Sequence, residues 1–143
     1  MHKRNGERQR DERGFRMRAA GICTRGEGPY RQILLVTGGK DERRWVIPGG
    51  GIEKNEAEAD AAVREVLEEA GVKGRIVARL GEFIDEEKMN RTIVFVLCVD
   101  EELVEWPDSF TGRKRRWMSI SEGLIRVKSS QTAILREIVN SVQ

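Results

Sequence analysis

Three glutamates on one predicted helix are the residues most able to do chemistry in this sequence. Glu65, Glu68 and Glu69 stand at positions i, i+3 and i+4, which places all three on one side of an α-helix. Like charges at this spacing destabilise a helix by roughly 0.2–0.5 kcal/mol per pair, and Arg64 is the only cation in its last two turns. A divalent cation removes this repulsion, because it prefers carboxylate oxygens as ligands. The spacing therefore indicates a site for a divalent metal ion.

A glycine triplet at 49–51 precedes the same helix. Glycine allows the backbone to approach another group closely, so a main-chain carbonyl can complete the coordination of the ion. Mg²⁺ is the predicted cofactor, with Mn²⁺ as a substitute, because Mg²⁺ keeps positions open for water and substrate phosphates. The alternative interpretation is a solvent-exposed helix face, since glutamate is a good helix former.

The helix that carries the glutamates is predicted over 53–70, and Gly71 is its predicted C-cap. A second amphipathic helix is predicted over 129–142. Both helices have an apolar face that requires a sheet to pack on. In the first helix the apolar face lies opposite the glutamates and consists of Ala59, Ala62, Val63, Val66, Leu67 and Ala70.

Strands dominate the rest of the chain, while the glycine triplet is predicted as a loop. This content favours a sandwich of the α/β or α+β type over a βαβ repeat. The basic residues 1–13 are predicted to form a mobile N-terminal arm, and 14–143 a single domain. Apolar runs rich in β-branched residues predict strands over 16–24, 32–38, 43–48, 74–83, 91–103 and 115–120.

Composition excludes several classes of protein. The chain has 143 residues, of which 38% are hydrophobic and 35% charged, without an apolar run of about 18 residues or a secretory signal. We therefore expect a monomer in the cytoplasm, with the nucleus as a second location, and no membrane partner. Its single histidine, His2, excludes a histidine-based zinc site or triad. Cys23 and Cys98 are expected to be buried free thiols.

Charge is distributed unevenly along the chain. Acidic residues concentrate between 53 and 69, whereas basic residues concentrate at the N-terminus and at 112–116. This combination suits a polyanionic ligand that is held through a divalent metal ion. For the segment 112–116, a nuclear-import or nucleic-acid-binding patch is the alternative interpretation.

The helix and its flanks form a motif that resembles the Nudix box. The resemblance implies an α/β fold, the Nudix-type α/β/α sandwich with a mixed central sheet, and Mg²⁺-dependent hydrolysis of a diphosphate linked to another group. It also implies that Arg64 pairs with a nearby acid such as Glu56 and holds the glutamates in place. The matching positions are Gly50, Glu56, Arg64, Glu65, Val66, Glu68, Glu69, Gly71 and Val72.

The roles of individual residues follow from the same resemblance. It implies that Glu65 and Glu69 bind the metal ion, with help from the Gly49 carbonyl. It further implies that Glu68 takes the proton from the attacking water, with Glu69 as the alternative base. Together with Arg64, these are the predicted metal-binding and catalytic residues.

Flanking segments resemble the diphosphoinositol polyphosphate phosphohydrolases within the Nudix superfamily; they span 15–23, 43–53, 61–74, 91–97 and 112–117. This resemblance implies hydrolysis of inositol pyrophosphates and of diadenosine polyphosphates. The chain departs from that family at 37–40, where serines and an arginine are usual, and at Asn90, where histidine is common. The implied substrate contacts are Arg8, Arg16, Arg18, Gly38, Gly39, Lys40, Lys88, Asn90, Arg113 and Lys128.

Two other functions stay open at this point. A nucleotide-directed Nudix hydrolase would act on capped RNA, ADP-ribose or oxidised nucleotides, and such a site stacks a base between aromatic side chains. Aromatic residues make up only 6% of the chain, and Trp45 and Trp117 lie in predicted strands. A binding module without catalysis would have lost one or more motif glutamates, and all are present.

Overall fold

The computed structural model describes residues 7–38 and 43–141. All six predicted strands and both predicted helices are present. The strands are β1 (Arg16–Arg25), β2 (Gln32–Thr37), β3 (Trp45–Val46), β4 (Gly49–Gly51), β5 (Val72–Asp85), β6 (Asn90–Glu102) and β7 (Arg115–Ser119). The helices are α1 (Glu58–Ala70), α2 (Ile120–Arg126) and α3 (Thr132–Ser141), with 3₁₀ turns at Gly28–Tyr30, Pro107–Thr111 and Ser129–Gln131.

The strands form one mixed sheet in the order β3-β2-β1-β6-β5, with β4 paired to β1 and β7 paired to β2. Strands β1 and β6 run parallel, and the other pairs are antiparallel. On one face of the sheet, Ala62 and Val66 of α1 are part of a buried apolar core. On the other face, Leu135 and Ile138 of α3 belong to a second core. These layers confirm the α/β/α sandwich with a mixed central sheet.

Several boundaries differ from the prediction. Helix α3 begins at Thr132 and not at 129, because Ser129–Gln131 form a 3₁₀ turn, and β3 is shorter than the predicted 43–48. Helix α1 begins at Glu58 and not at 53, because Asn55 has a φ of 66°, a left-handed conformation that interrupts a helix. The triplet Gly49–Gly51, predicted as a loop, is strand β4 and pairs with β1. A Cβ on Gly49 would lie 2.7 Å from the Cβ of Ala20, so the close pairing of β4 with β1 requires glycine.

Helix α2 is not among the elements predicted from the sequence. The Ser119 side chain caps it by accepting a hydrogen bond from the Glu122 backbone N–H at 3.1 Å. A serine followed three residues later by glutamate is a usual signature of a helix start, so the signal was present in the sequence. None of the helices in the described residues is long and apolar enough to cross a membrane.

The described part of the N-terminal arm is hydrogen-bonded along the domain. The Gln9 N–H donates to the Ile52 carbonyl at 2.9 Å, and the Met17 N–H donates to the Gln9 carbonyl at 3.0 Å. Residues 7–13 therefore form a bonded edge of the domain and not the separate arm that the composition predicts. Residues 1–6 lie outside the described residues.

The two cysteines differ in their surroundings. Both are free thiols, Cys23 buried and Cys98 half-buried, so the prediction of two buried thiols is correct for Cys23 alone. Burial raises the pKa of the Cys23 thiol to about 12. Because the thiolate is the reactive form, Cys23 is a packing residue of the core.

Candidate active site

The three motif glutamates are buried between α1 and β4. Glu65, Glu68 and Glu69 are 0%, 4% and 5% exposed, so the alternative of a solvent-exposed helix face is wrong. The reason is the close approach of β4. A Cβ on Gly50 would lie 2.3 Å from Glu65 Oε2, and the Gly49 N–H donates to Glu69 Oε1 at 3.1 Å. Strand β4 therefore requires glycine in order to cover the carboxylates.

The Arg64 guanidinium is bonded to three glutamates at once. Its Nε and Nη2 donate to the Glu56 carboxylate at 2.8 and 2.9 Å. Its Nη1 donates to Glu65 Oε2 at 3.1 Å and to Glu68 Oε1 at 3.2 Å. The hydrogen bond from Arg64 lowers the pKa of the Glu56 carboxyl below its usual value. The pairing of Arg64 with Glu56 is thus observed, and the same guanidinium holds two motif glutamates.

The C-terminal end of α1 is capped by a residue that the sequence does not single out. Arg115 Nη1 donates to the carbonyls of Ala70 and Gly71 at 2.9 and 3.2 Å, and its guanidinium stacks on Trp106 at 4.1 Å. A cation at this end of a helix offsets the partial negative charge of the last carbonyls. Arg115, from the basic segment 112–116, is therefore a structural residue that steadies the end of α1 beside Glu69.

Nine predicted site residues line one cavity of about 440 Å³. The parallel pairing of β1 and β6 contributes, because it aligns Arg16 with Asn90 and Arg18 with Thr92. The predicted residues in the lining are Arg8, Arg16, Arg18, Gly49, Glu69, Lys88, Asn90, Arg113 and Lys128. The lining also includes residues that the sequence did not indicate, namely Met17, Val46, Ile47, Gly51 and Gln131.

Other predicted residues are not part of this lining. Glu65 and Glu68 lie behind β4 with Arg64, which contacts the glutamates and is therefore a positioning residue and not a catalytic one. The Gly38 N–H, a predicted substrate contact, already donates a hydrogen bond to the Arg44 carbonyl at 2.7 Å. The predictions for Gly39 and Lys40 lie outside the described residues.

Two arginines of the cavity are oriented by neutral acceptors. Arg16 Nη2 donates to the Lys88 carbonyl at 3.3 Å, and Arg113 Nη1 donates to the Thr37 carbonyl at 2.7 Å. A neutral acceptor fixes a guanidinium while leaving its charge available to an anion. Arg113 is also paired with Asp108 at 3.1 Å, so its charge is partly offset.

Asn90 contributes an uncharged hydrogen-bond acceptor to the cavity. Its Oδ1 is buried and has no hydrogen-bond partner among the described residues. Buried side-chain oxygens are nearly always paired in folded proteins. An acceptor left over in the lining can take a hydrogen bond from a bound ligand or from a water molecule that accompanies it.

The pKa of Lys128 reflects the positive charge that the lining residues bring into the cavity. A hydrogen-bonded contact with Lys88, followed by partial burial and the nearby charges of Arg44 and Arg18, lowers the pKa of Lys128 to about 8. An anion in the cavity favours the charged lysine and raises this pKa again. The cavity therefore carries positive charge that a bound anion would relieve.

Binding of a polyanion is expected to be linked to proton uptake through Lys128. Above pH 8 the free lysine is largely neutral, so a bound anion draws a proton onto it, and the affinity falls as the pH rises further. Calorimetry of inositol hexakisphosphate binding in two buffers of different ionisation enthalpy should show this uptake between pH 8 and 9. Lys128→Met should abolish it. Undiminished uptake in Lys128→Met would contradict the assignment.

The donor set fits a hard divalent cation. Burial, followed by the neighbouring charge of Glu65, raises the pKa of Glu69 to about 8. A cation bound beside these two carboxylates would lower this pKa again, because a positive charge favours the ionised form. No group of three His, Cys, Asp or Glu side chains that could hold an ion occurs in the described residues. Two carboxylates with a backbone oxygen, such as the Gly49 carbonyl, form the oxygen set that Mg²⁺ and similar ions accept.

Known proteins share both the sequence and the fold of this chain. A model of the NUDIX domain matches residues 15–138. Diphosphoinositol polyphosphate phosphohydrolase 2 of Mus musculus is 44% identical over 123 residues, which cover 85% of this chain and 68% of that protein. Diphosphoinositol polyphosphate phosphohydrolase 3-alpha of the same species is 46% identical over 124 residues, 85% of this chain and 75% of that protein. The solution structure of the E. coli ORF135 protein has a TM-score of 0.66 at 20% identity, covering 87% of this chain and 88% of that one, a likeness of fold alone.

Proposed function

This chain belongs to the NUDIX domain family, and from that premise we propose that it hydrolyses the diphosphate bond of inositol pyrophosphates, and also of diadenosine polyphosphates. The relatives at 44% and 46% identity are named for the first of these substrate classes. The observation that carries the proposal is one cavity lined by both Glu69 and six basic side chains. Such a cavity binds a polyphosphate next to the metal-binding carboxylates.

Nudix hydrolases generally use a divalent metal ion, and we propose Mg²⁺, with Mn²⁺ as a substitute, for this chain. Glu65, Glu69 and the Gly49 carbonyl would hold it. When bound, the ion supplies positive charge that offsets the charge growing on the bridging oxygen and makes water more acidic. Arg64 orients the carboxylates, and Glu68 takes the proton of the attacking water, since the other two motif glutamates are committed to the ion.

The cavity lining favours a phosphorylated ring over a nucleotide. Among the residues that the structure describes, six arginines and lysines line it, and none of the lining residues is aromatic. Phosphate groups are bound by such cations, whereas a nucleotide base is normally stacked on an aromatic side chain.

Parallel assays of four substrates test this proposal. With Mg²⁺ present, we expect an inositol pyrophosphate to be hydrolysed with the highest kcat/KM, diadenosine hexaphosphate more slowly, and capped RNA and ADP-ribose least. Arg18→Met should raise KM for the inositol pyrophosphate by roughly tenfold, because a charge-assisted hydrogen bond to phosphate is lost, with a smaller effect on the dinucleotide. Arg79→Met is the matched control, since Arg79 is exposed on β5. Preference for capped RNA or ADP-ribose would overturn the proposal.

A further inference from the structure

Gln9 ties the N-terminal segment to the turn that precedes α1. Its side-chain Nε2 donates to the Glu53 carbonyl at 2.9 Å and to the Glu56 carbonyl at 3.1 Å, so both hydrogens of the amide group have an acceptor. Its backbone N–H donates to the Ile52 carbonyl, and its own carbonyl accepts from the Met17 N–H. One residue therefore connects strand β1 with both ends of the turn.

The turn also has other restraints. Within it, the Glu53 N–H donates to Glu56 Oε1 at 3.0 Å. The N-terminal segment adds two more, since the Lys54 N–H donates to the Glu7 carbonyl and Arg8 pairs with the Glu53 carboxylate. Asn55 within the turn has a φ of 66°, in the left-handed region that asparagine adopts more readily than most other residues. Ala57, at the N-cap position of α1, offers no side-chain acceptor, although Ser, Thr, Asp or Asn usually fills this position. Inside the turn, the Glu56 N–H donates to the Glu53 carbonyl at 3.0 Å. The Gln9 amide therefore adds a restraint that the turn does not provide for itself.

A displacement of this turn is transmitted to the motif glutamates through the side chain of Arg64. Glu56 accepts two hydrogen bonds from Arg64, and Arg64 in turn donates to Glu65 and Glu68. A shift of the Glu56 backbone moves its carboxylate and with it the guanidinium. Partners one step removed from the reacting groups typically contribute ten- to a hundredfold to metal affinity or activity.

We propose that Gln9 is a positioning residue of the active site, which fixes Glu56 and, through Arg64, the two glutamates Glu65 and Glu68. The N-terminal segment thus has two roles, because the adjacent Arg8 lines the substrate cavity while Gln9 holds the turn. The kinetic part of this inference rests on the proposed hydrolase function. The mechanical part concerns the turn alone and is measurable without catalysis.

Gln9→Met tests the kinetic part, because methionine keeps a similar length and removes both N–H donors. We expect kcat to fall about tenfold while KM for the inositol pyrophosphate stays within about twofold. Arg10→Met is the matched control, because the Arg10 side chain lies next to Gln9 in the chain but donates to the Gly14 carbonyl, within the same segment. An unchanged kcat in Gln9→Met, or an equal loss in both variants, would overturn the role of Gln9.

Amide hydrogen exchange of the metal-free protein tests the mechanical part. In Gln9→Met, the amides of residues 53–56 should exchange about tenfold faster than in the wild type and in Arg10→Met, while those of β6 stay unchanged. Unchanged exchange at 53–56 would refute the proposal, as would a uniform increase across the domain, which indicates general destabilisation. If the wild type hydrolyses none of the diphosphates, the proposed function fails, and the exchange data still decide whether Gln9 holds the turn.

Discussion

Glu69→Gln is expected to lower kcat by roughly a thousandfold, because it removes a charged ligand from the divalent ion, whose charge stabilisation is worth several kcal/mol. Glutamine has nearly the same shape, and its amide oxygen can still accept the hydrogen bond of the Gly49 N–H. The fold should therefore persist. Removal of one of two adjacent buried carboxylates should also leave the Tm of the metal-free protein equal to or above that of the wild type. Steady-state kinetics with an inositol pyrophosphate and calorimetric titration with Mg²⁺ measure the two effects.

Two further variants give this experiment its controls. Glu58→Gln changes an exposed glutamate of the same helix and should leave kcat and the affinity for Mg²⁺ unchanged. Glu68→Gln should lower kcat but keep the affinity for Mg²⁺, since Glu68 is assigned to proton transfer. Wild-type turnover in Glu69→Gln at saturating Mg²⁺ would remove Glu69 from the set of metal ligands.

Arg64→Met is expected to cause the largest loss of stability. Arg64 is 20% exposed and donates to Glu56, Glu65 and Glu68, so the substitution leaves three little-exposed carboxylates without their shared cation. Loss of one partner from a buried ionic network costs about 3–5 kcal/mol. For a domain of this size, the Tm should fall by roughly 10 °C. Thermal unfolding in the presence of a chelator measures this loss without the contribution of a metal ion.

The pH dependence of this loss identifies its origin. Because Arg64 lowers the pKa of Glu56 below 4.5, the stability contributed by this pair is complete above pH 4.5 and is lost as the pH falls through the lowered value. The difference in Tm between wild type and Arg64→Met should therefore shrink in acid. The control is Arg126→Met, which removes an exposed pair with Glu122 and should cost less than about 0.5 kcal/mol. A Tm difference that does not shrink at any acidic pH at which the wild type is still folded would point to lost packing in place of lost charge pairing.

The parts of the fold that local chemistry determines could be predicted from the sequence. Apolar runs in β1, β2 and β6 indicate strands because their side chains are buried in the sheet, and the positive φ of Gly71 ends α1 where a glycine cap was expected. The sequence misplaces the start of α1 because the turn at Asn55 is held by Gln9, whose side chain donates to the Glu53 and Glu56 carbonyls from more than forty positions earlier in the chain. A helical pattern alone cannot reveal such an interruption.

The sequence predicts which residues form the candidate site, but it does not predict that the three glutamates are buried. The spacing of Glu65, Glu68 and Glu69 placed them opposite the apolar face, and charged residues in that position usually contact solvent. In the structure, β4 covers them, an arrangement that depends on the pairing of β4 with β1. Arg115 was assigned to a basic surface for a similar reason, because the carbonyls it caps lie more than forty residues earlier in the chain.

The parallel pairing of β1 and β6 has a consequence for how the protein folds. Arg18 and Thr92, which are hydrogen-bonded across these strands, are separated by 74 positions in the sequence. A long loop must therefore close before the basic side chains meet, and contacts of this kind form slowly. Helix α1 can form early from local contacts, whereas the surface that binds the ligand forms only after β1 and β6 have paired. We therefore expect catalytic activity to appear late in folding, after this pairing.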